Sequence, residues 1–148
     1  MVQQIITAGY EYCVPKEAQA GGVITPGAFI EYDGAGNEVS AAAAGATVPR
    51  IAYNHGDVGQ DPDTDYDPEG DEGHTRVKFV VAPRGVEVSA PLASGTVSTG
   101  DELEVNATGY LIPQDTNDAV AVVALDNEGN DQVVEATGDY SRVTVELI

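Results

Sequence analysis

The chain has 148 residues and a mass of 15.3 kDa, enough for one domain with an ordinary core. Six Lys and Arg stand against 25 Asp and Glu, a formal net charge of −19, which disfavours binding to nucleic acid or to anionic membrane surfaces. Val, Ile, Leu and Phe together number 34, too many for a disordered acidic tail, and no run approaches a membrane-spanning length.

The N-terminus lacks a basic stretch followed by an apolar one, so the expectation is a soluble, folded domain used without membrane export. A lone cysteine, Cys13, excludes an internal disulfide. Lysine is scarce (Lys16 and Lys78) and the acids are spread over nearly every segment. At ordinary ionic strength such self-repulsion weakens a compact state. At molar salt the Debye length falls to about 3 Å, so the penalty fades while the carboxylates stay hydrated. A halophilic cytoplasm is therefore the expected setting, with a single acidic binding face as the alternative.

Residues 1–22 mix apolar and polar side chains and end at Pro15 and Gly21-Gly22, which suits either a first strand or an extended arm ordered by a partner. Residues 23–148 read as one β domain. Twenty valines against five leucines, with 11 threonines and 17 glycines, favour strands over helices. Ala41–Ala44 could form a helical turn, limited by Gly45 and Pro49. An acidic insertion, residues 54–74, carries no strand pattern, and a loop that long usually has a function.

Beyond it, alternation places Val77, Phe79 and Val81 on one face, then Val86, Val88 and Ala90, then Leu103 and Val105, and finally Val143, Val145 and Leu147. Val120–Leu125 is apolar throughout, as expected of a strand covered on both faces. Pro83-Arg84-Gly85, Ser94-Gly95, Gly100-Asp101, Asn127–Asn130 and Gly138-Asp139 punctuate these runs as turns. The fold class expected is all-β, a small barrel or sandwich, with Ile24, Phe29, Ile30, Ile51 and Leu111 as core or subunit-contact positions.

The densest chemistry lies in the acidic insertion. Asp61, Asp63 and Asp65 alternate and Glu72 follows at the spacing of a calcium loop, where several carboxylate oxygens converge on a hard cation. Tyr66, however, stands where that loop needs a glycine, and Pro62 and Pro68 stiffen the segment, so a solvated acidic loop is the competing reading. His55 and His74 bracket the insertion without close zinc-ligand companions. No nucleophile elbow, phosphate loop or dinucleotide fingerprint occurs, and no enzyme activity or cofactor is expected beyond a structural cation. Tyr10, Tyr12 and Tyr32 suit either an interface or a barrel rim.

Three stretches resemble the small β-rich capsid decoration (cement) proteins of tailed viruses. They are residues 20–32, AGGVITPGAFIEY, residues 65–71, DYDPEGD, and residues 85–103, GVEVSAPLASGTVSTGDEL, with Val120–Asp126 resembling the strand that follows. The acidic insertion and the overall acidity depart from the usual pattern, and the salt-adapted composition points to a tailed virus of a haloarchaeon.

The resemblance implies a non-enzymatic protein, made in the host cytoplasm and carried on the outer capsid surface of the virion. There it would bridge major capsid protein subunits, as a homotrimer, without touching nucleic acid or membrane. The N-terminal segment and the acidic loop are then the places to look for contacts, with Tyr10, Tyr12, Val14, Pro15, Ile24 and Tyr66 as the candidates. A soluble calcium- or glycan-binding β-module is the alternative, and a tail or baseplate domain a third.

Overall fold

A computed structural model describes residues 5–34, 37–53, 63–70 and 74–148. Thirteen strands follow in chain order: β1 (Ile6–Ala8), β2 (Val14–Ala20), β3 (Ile30–Tyr32), β4 (Glu38–Ala41), β5 (Arg50–Ala52), β6 (Arg76–Val81), β7 (Glu87–Leu92), β8 (Thr96–Ser98), β9 (Glu102–Val105), β10 (Leu111–Pro113), β11 (Ala121–Val123), β12 (Val133–Glu135) and β13 (Ser141–Leu147). Among the described residues no α-helix occurs, only a 3-10 turn at Tyr10–Tyr12. The all-β expectation therefore holds, while Ala41 closes a strand instead of opening a helical turn.

Two β units pack together. In the first, β7, β10, β9, β11 and β13 pair in that order, and β13 pairs back onto β7 to close a five-stranded barrel. The alternating apolar residues Val88, Ala90, Leu103, Val105, Val143 and Val145 fill it together with Leu92 and Leu111, and all are buried. The ribbon β8–β12 flanks this barrel. In the second unit the order is β3-β4-β2-β6-β5. Ala52 donates to Ala28 and accepts from Gly27, and Phe29 bridges to Ile51, so the sheet curls until β3 meets β5. Its concave face buries Ala18, Ala20, Ile30, Val39, Ala52, Val77 and Phe79.

The two units share a boundary built by Phe29, Ile51 and Val80, which leave the second sheet and enter the core of the first barrel. Phe29 donates its N–H to Gly109 O at 2.9 Å, and Ala42 donates to Phe29 O at 2.9 Å. Gly109 sits at φ 78°, a left-handed conformation that lets its backbone come this close.

One open sequence expectation is decided here and one changes. Residues 5–20 are not a free arm. Ile5 and Ile6 are buried, β1 pairs with β7, and β2 lies at the centre of the second sheet. β1 and β10 are both short, and they pair with different parts of β7: β1 with Glu87 and Val88, β10 with Leu92. The strand covered on both faces is β7 rather than the 120–125 run. Its small outward residues, Ser89 and Pro91, are buried where Gly27 comes within a Cβ's reach of both. In the 120–125 run only Ala121–Val123 is strand, Val122 is half-buried, and Leu125, beyond the strand, is exposed.

Glu104 is the buried charge of the first barrel, 3% exposed. It accepts the backbone N–H groups of Asp115 (2.8 Å) and Asn117 (2.9 Å) and the Asn117 side-chain amide (3.2 Å). The N–H groups of Asp115 and Asn117 outweigh burial and hold its carboxyl below the ordinary glutamate value of 4.5. The sign follows from linkage: a depressed native pKa stabilises the fold fully above 4.5, and the contribution is lost as pH falls through the lower native value. The stability difference between wild type and Glu104→Gln should therefore be constant near neutrality and shrink under acid, read by chemical denaturation at a series of pH values. A difference independent of pH would contradict this assignment.

Candidate interaction surfaces

The described part of the acidic segment is anchored by a tyrosine. Tyr66 and Ile24 exchange backbone hydrogen bonds, 2.8 and 2.9 Å, and both side chains are buried over the concave face of the second sheet. The Tyr66 hydroxyl donates to Tyr53 O. Ile24 and Tyr66 therefore leave the set of partner contacts, since neither presents side-chain surface.

Asp63 turns the other way, toward the first barrel. Its Oδ1 accepts from Tyr140 Oη (2.8 Å) and Arg142 Nε (3.0 Å). Burial raises the Asp63 carboxyl, but these hydrogen bonds and the Arg142 charge outweigh it and hold the group below the ordinary aspartate value. Burial, followed by the Asp63 hydrogen bond, pushes the Tyr140 phenol up. Asp65 is exposed, and Asp61 and Glu72 lie outside the described residues. Among the described residues no three His, Cys, Asp or Glu side chains gather to hold a metal. His74 lends its carbonyl to the Asp67 N–H at 2.9 Å, and His55 lies outside the described residues.

Arg142 is the residue that sequence reasoning missed. From β13 its Nη1 donates to Pro26 O (2.7 Å) and Ser89 O (3.0 Å), while Nε reaches Asp63. Its guanidinium lies 5.4 Å from the Tyr140 ring centroid, and Tyr140 stands edge-on to Tyr110 at 5.4 Å. Tyr110 and Thr25 hydroxyls meet at 2.6 Å. Both units thus converge on one planar cation, with a shallow open groove lined by Asp63, Asp139, Tyr140 and Arg142 above it. Hydrogen bonds from a charged donor are worth about 1.5–3 kcal/mol each where water is excluded, which makes this a structural latch. The available signal was scarcity: an arginine in a strand of a chain with six basic residues.

The remaining partner candidates are exposed. Tyr10, Tyr12 and Val14 are 44%, 72% and 55% accessible, and Pro15 is exposed beside them. Tyr10 packs edge-on against Tyr53 at 5.8 Å, which holds the turn against the second sheet. Tyr32 takes the rim position: its ring meets Phe79 edge-on at 6.2 Å and carries Arg50 at 4.7 Å. Cys13 is half-buried, its Sγ directed at Gly9 O, and burial, then the charge of Glu11, pushes its thiol up and away from the reactive thiolate.

Charge is distributed unevenly over the two units. The strands of the second unit carry Lys16, Arg50, Arg76 and Lys78, four of the six basic residues, against three acids, Glu17, Glu31 and Glu38. Glu17 is paired with Arg76 at 2.7 Å. The strands of the closed barrel carry Arg142 against Glu87, Glu102, Glu104 and Glu146.

No protein-family model matches the chain, and no curated protein matches it significantly. Among solved structures, the N base of the head fibre protein gp8.5 of bacteriophage phi29 superposes with a TM-score of 0.56 at 18% identity. The correspondence covers 92% of this chain and 94% of that one, so both units and their arrangement take part in it. The chain shares the fold of that head-fibre base.

Proposed function

We propose that the protein is a structural component of a virion that binds the outer surface of the capsid of a tailed virus. It bridges major capsid protein subunits and stabilises the shell, with no catalytic step and no cofactor. The observation that carries this reading is the near full-length fold correspondence with a phage head-fibre base. The resemblance of residues 20–126 to capsid decoration proteins supports the same role from the sequence. Many symmetric copies, each adding a modest contact, raise the barrier to shell opening because several contacts must break together. The working form is a homotrimer, and the charge of −19 suits a haloarchaeal host, where molar salt screens repulsion within and between copies.

Co-sedimentation with undecorated shells at molar salt tests the proposal. The expected result is saturable binding at a symmetric stoichiometry, with a higher temperature of shell rupture. Protein that stays in the supernatant at all concentrations would overturn it. Removal of residues 1–19 cannot serve as the test, because it deletes β1 and most of β2 and so attacks the fold itself.

A further inference from the structure

We infer that the surface running from β1 to the start of β2 joins one copy of this chain to the next, with its carboxylate end against the neighbour's cationic end. The inference rests on the reading above, in which the protein works in several copies. The stripe can be followed residue by residue. At one end Ala8 pairs with Glu87, and Glu87 pairs across to Glu146, an exposed carboxylate. Glu146 lines a shallow groove with Arg84, Leu147 and the exposed Ile148. The middle holds Tyr10, Tyr12 and Val14, with the exposed Glu11 between the two tyrosines. At the other end Val14 pairs with Val81, Val81 with Arg50, and Lys16 stands exposed on the Val14 face.

Carboxylates thus exceed cations at one end, Glu87 and Glu146 against Arg84, while Lys16 and Arg50 mark the other, where Glu17 is paired with Arg76. On a chain of −19 most pairs of surfaces repel. This stripe is self-complementary: acid end on cationic end steers a second copy into register. The exposed tyrosines between them supply rigid, partly apolar contact area of the kind that dominates interface energies. Exposed Val133, at 73%, is flanked by acids alone, Asp131 and Glu135.

Light scattering of the full chain over a concentration series tests this. At molar salt, wild type should run at a multiple of 15.3 kDa. Tyr12→Ser/Val14→Ser should raise the dissociation constant at least tenfold, while Val133→Ser leaves it unchanged, with circular dichroism verifying the fold of each variant. At the lowest salt that keeps wild type folded, Lys16→Glu should weaken association, and Lys16→Glu/Glu87→Lys should restore it. A wild-type monomer at every concentration, or an oligomer indifferent to Tyr12→Ser/Val14→Ser, overturns the inference. Shell pelleting measured in parallel separates the two proposals. An oligomer that ignores shells ends the capsid role and leaves the interface, whereas a monomer that binds shells does the reverse.

Discussion

Replacing Tyr66 by alanine is expected to lower the melting temperature by on the order of 10 °C, from a loss of about 3–5 kcal/mol. Tyr66 is fully buried and lies, with Ile24, over Phe79, Val77 and Ile30, so truncation leaves a cavity under backbone that is held in place on both sides. The backbone around Tyr66 is pinned by the Ile24 bridge and by Asp67 bonding to His74 O. Collapse into the hole is therefore restricted. Tyr66→Phe keeps the ring and removes the donor to Tyr53 O, which should cost about 1–2 kcal/mol. Thermal unfolding of both variants in the same buffer gives the comparison. Equal melting temperatures for Tyr66→Ala and Tyr66→Phe would mean that the ring does not cap the second core.

Gly109→Ala is the second large effect, a loss of about 4 kcal/mol or more that leaves little folded protein at growth temperature. A Cβ there would lie 2.3 Å from Phe29 O and 3.2 Å from Ala42 N, at a φ of 78° that already disfavours alanine. Phe29 cannot retreat, because its ring is part of the first barrel's core and its O accepts from Ala42. Gly100→Ala isolates the backbone contribution: its φ is 93°, yet a Cβ there meets nothing within 4 Å. That variant should lose about 1–2 kcal/mol, the usual cost of a left-handed L-residue. If the two substitutions destabilise equally, steric contact at the boundary between units is not what fixes Gly109.

The parts of this fold that were legible in the sequence are those governed by a period of two. Val88 and Ala90, Leu103 and Val105, Val143 and Val145 all face the barrel interior, as their alternation requires. Legibility failed where tertiary partners override local pattern. Ser89 and Pro91 look like solvent positions, and only the approach of the 25–28 segment buries them. Ile24 and Tyr66 look like available surface because their bridge joins residues 42 positions apart. The local spacing around Asp63 gave no sign of Arg142, which the folded chain supplies from 79 positions away. Likewise Lys16, Arg50, Arg76 and Lys78 are scattered along the sequence, and only the β2-β6-β5 pairing makes them neighbours.

The pairing of β1 with β7 also bears on the order in which the chain can satisfy itself during synthesis. The second unit draws its strands from residues 14–81, so its ladder can form before the rest of the protein exists. Ile6 waits for Val88, and Ile5 for the N–H of Ser89, more than eighty residues later. The closed barrel waits longer still, since β7 receives β13 only at the very end. Ile5 and Ile6 are thus left uncovered until β7 has emerged. A nascent chain from which residue 82 has just emerged therefore combines a paired second sheet with uncovered Ile5, Ile6, Phe29, Ile51 and Val80, a form in which chaperone capture or premature pairing between neighbouring chains is favoured.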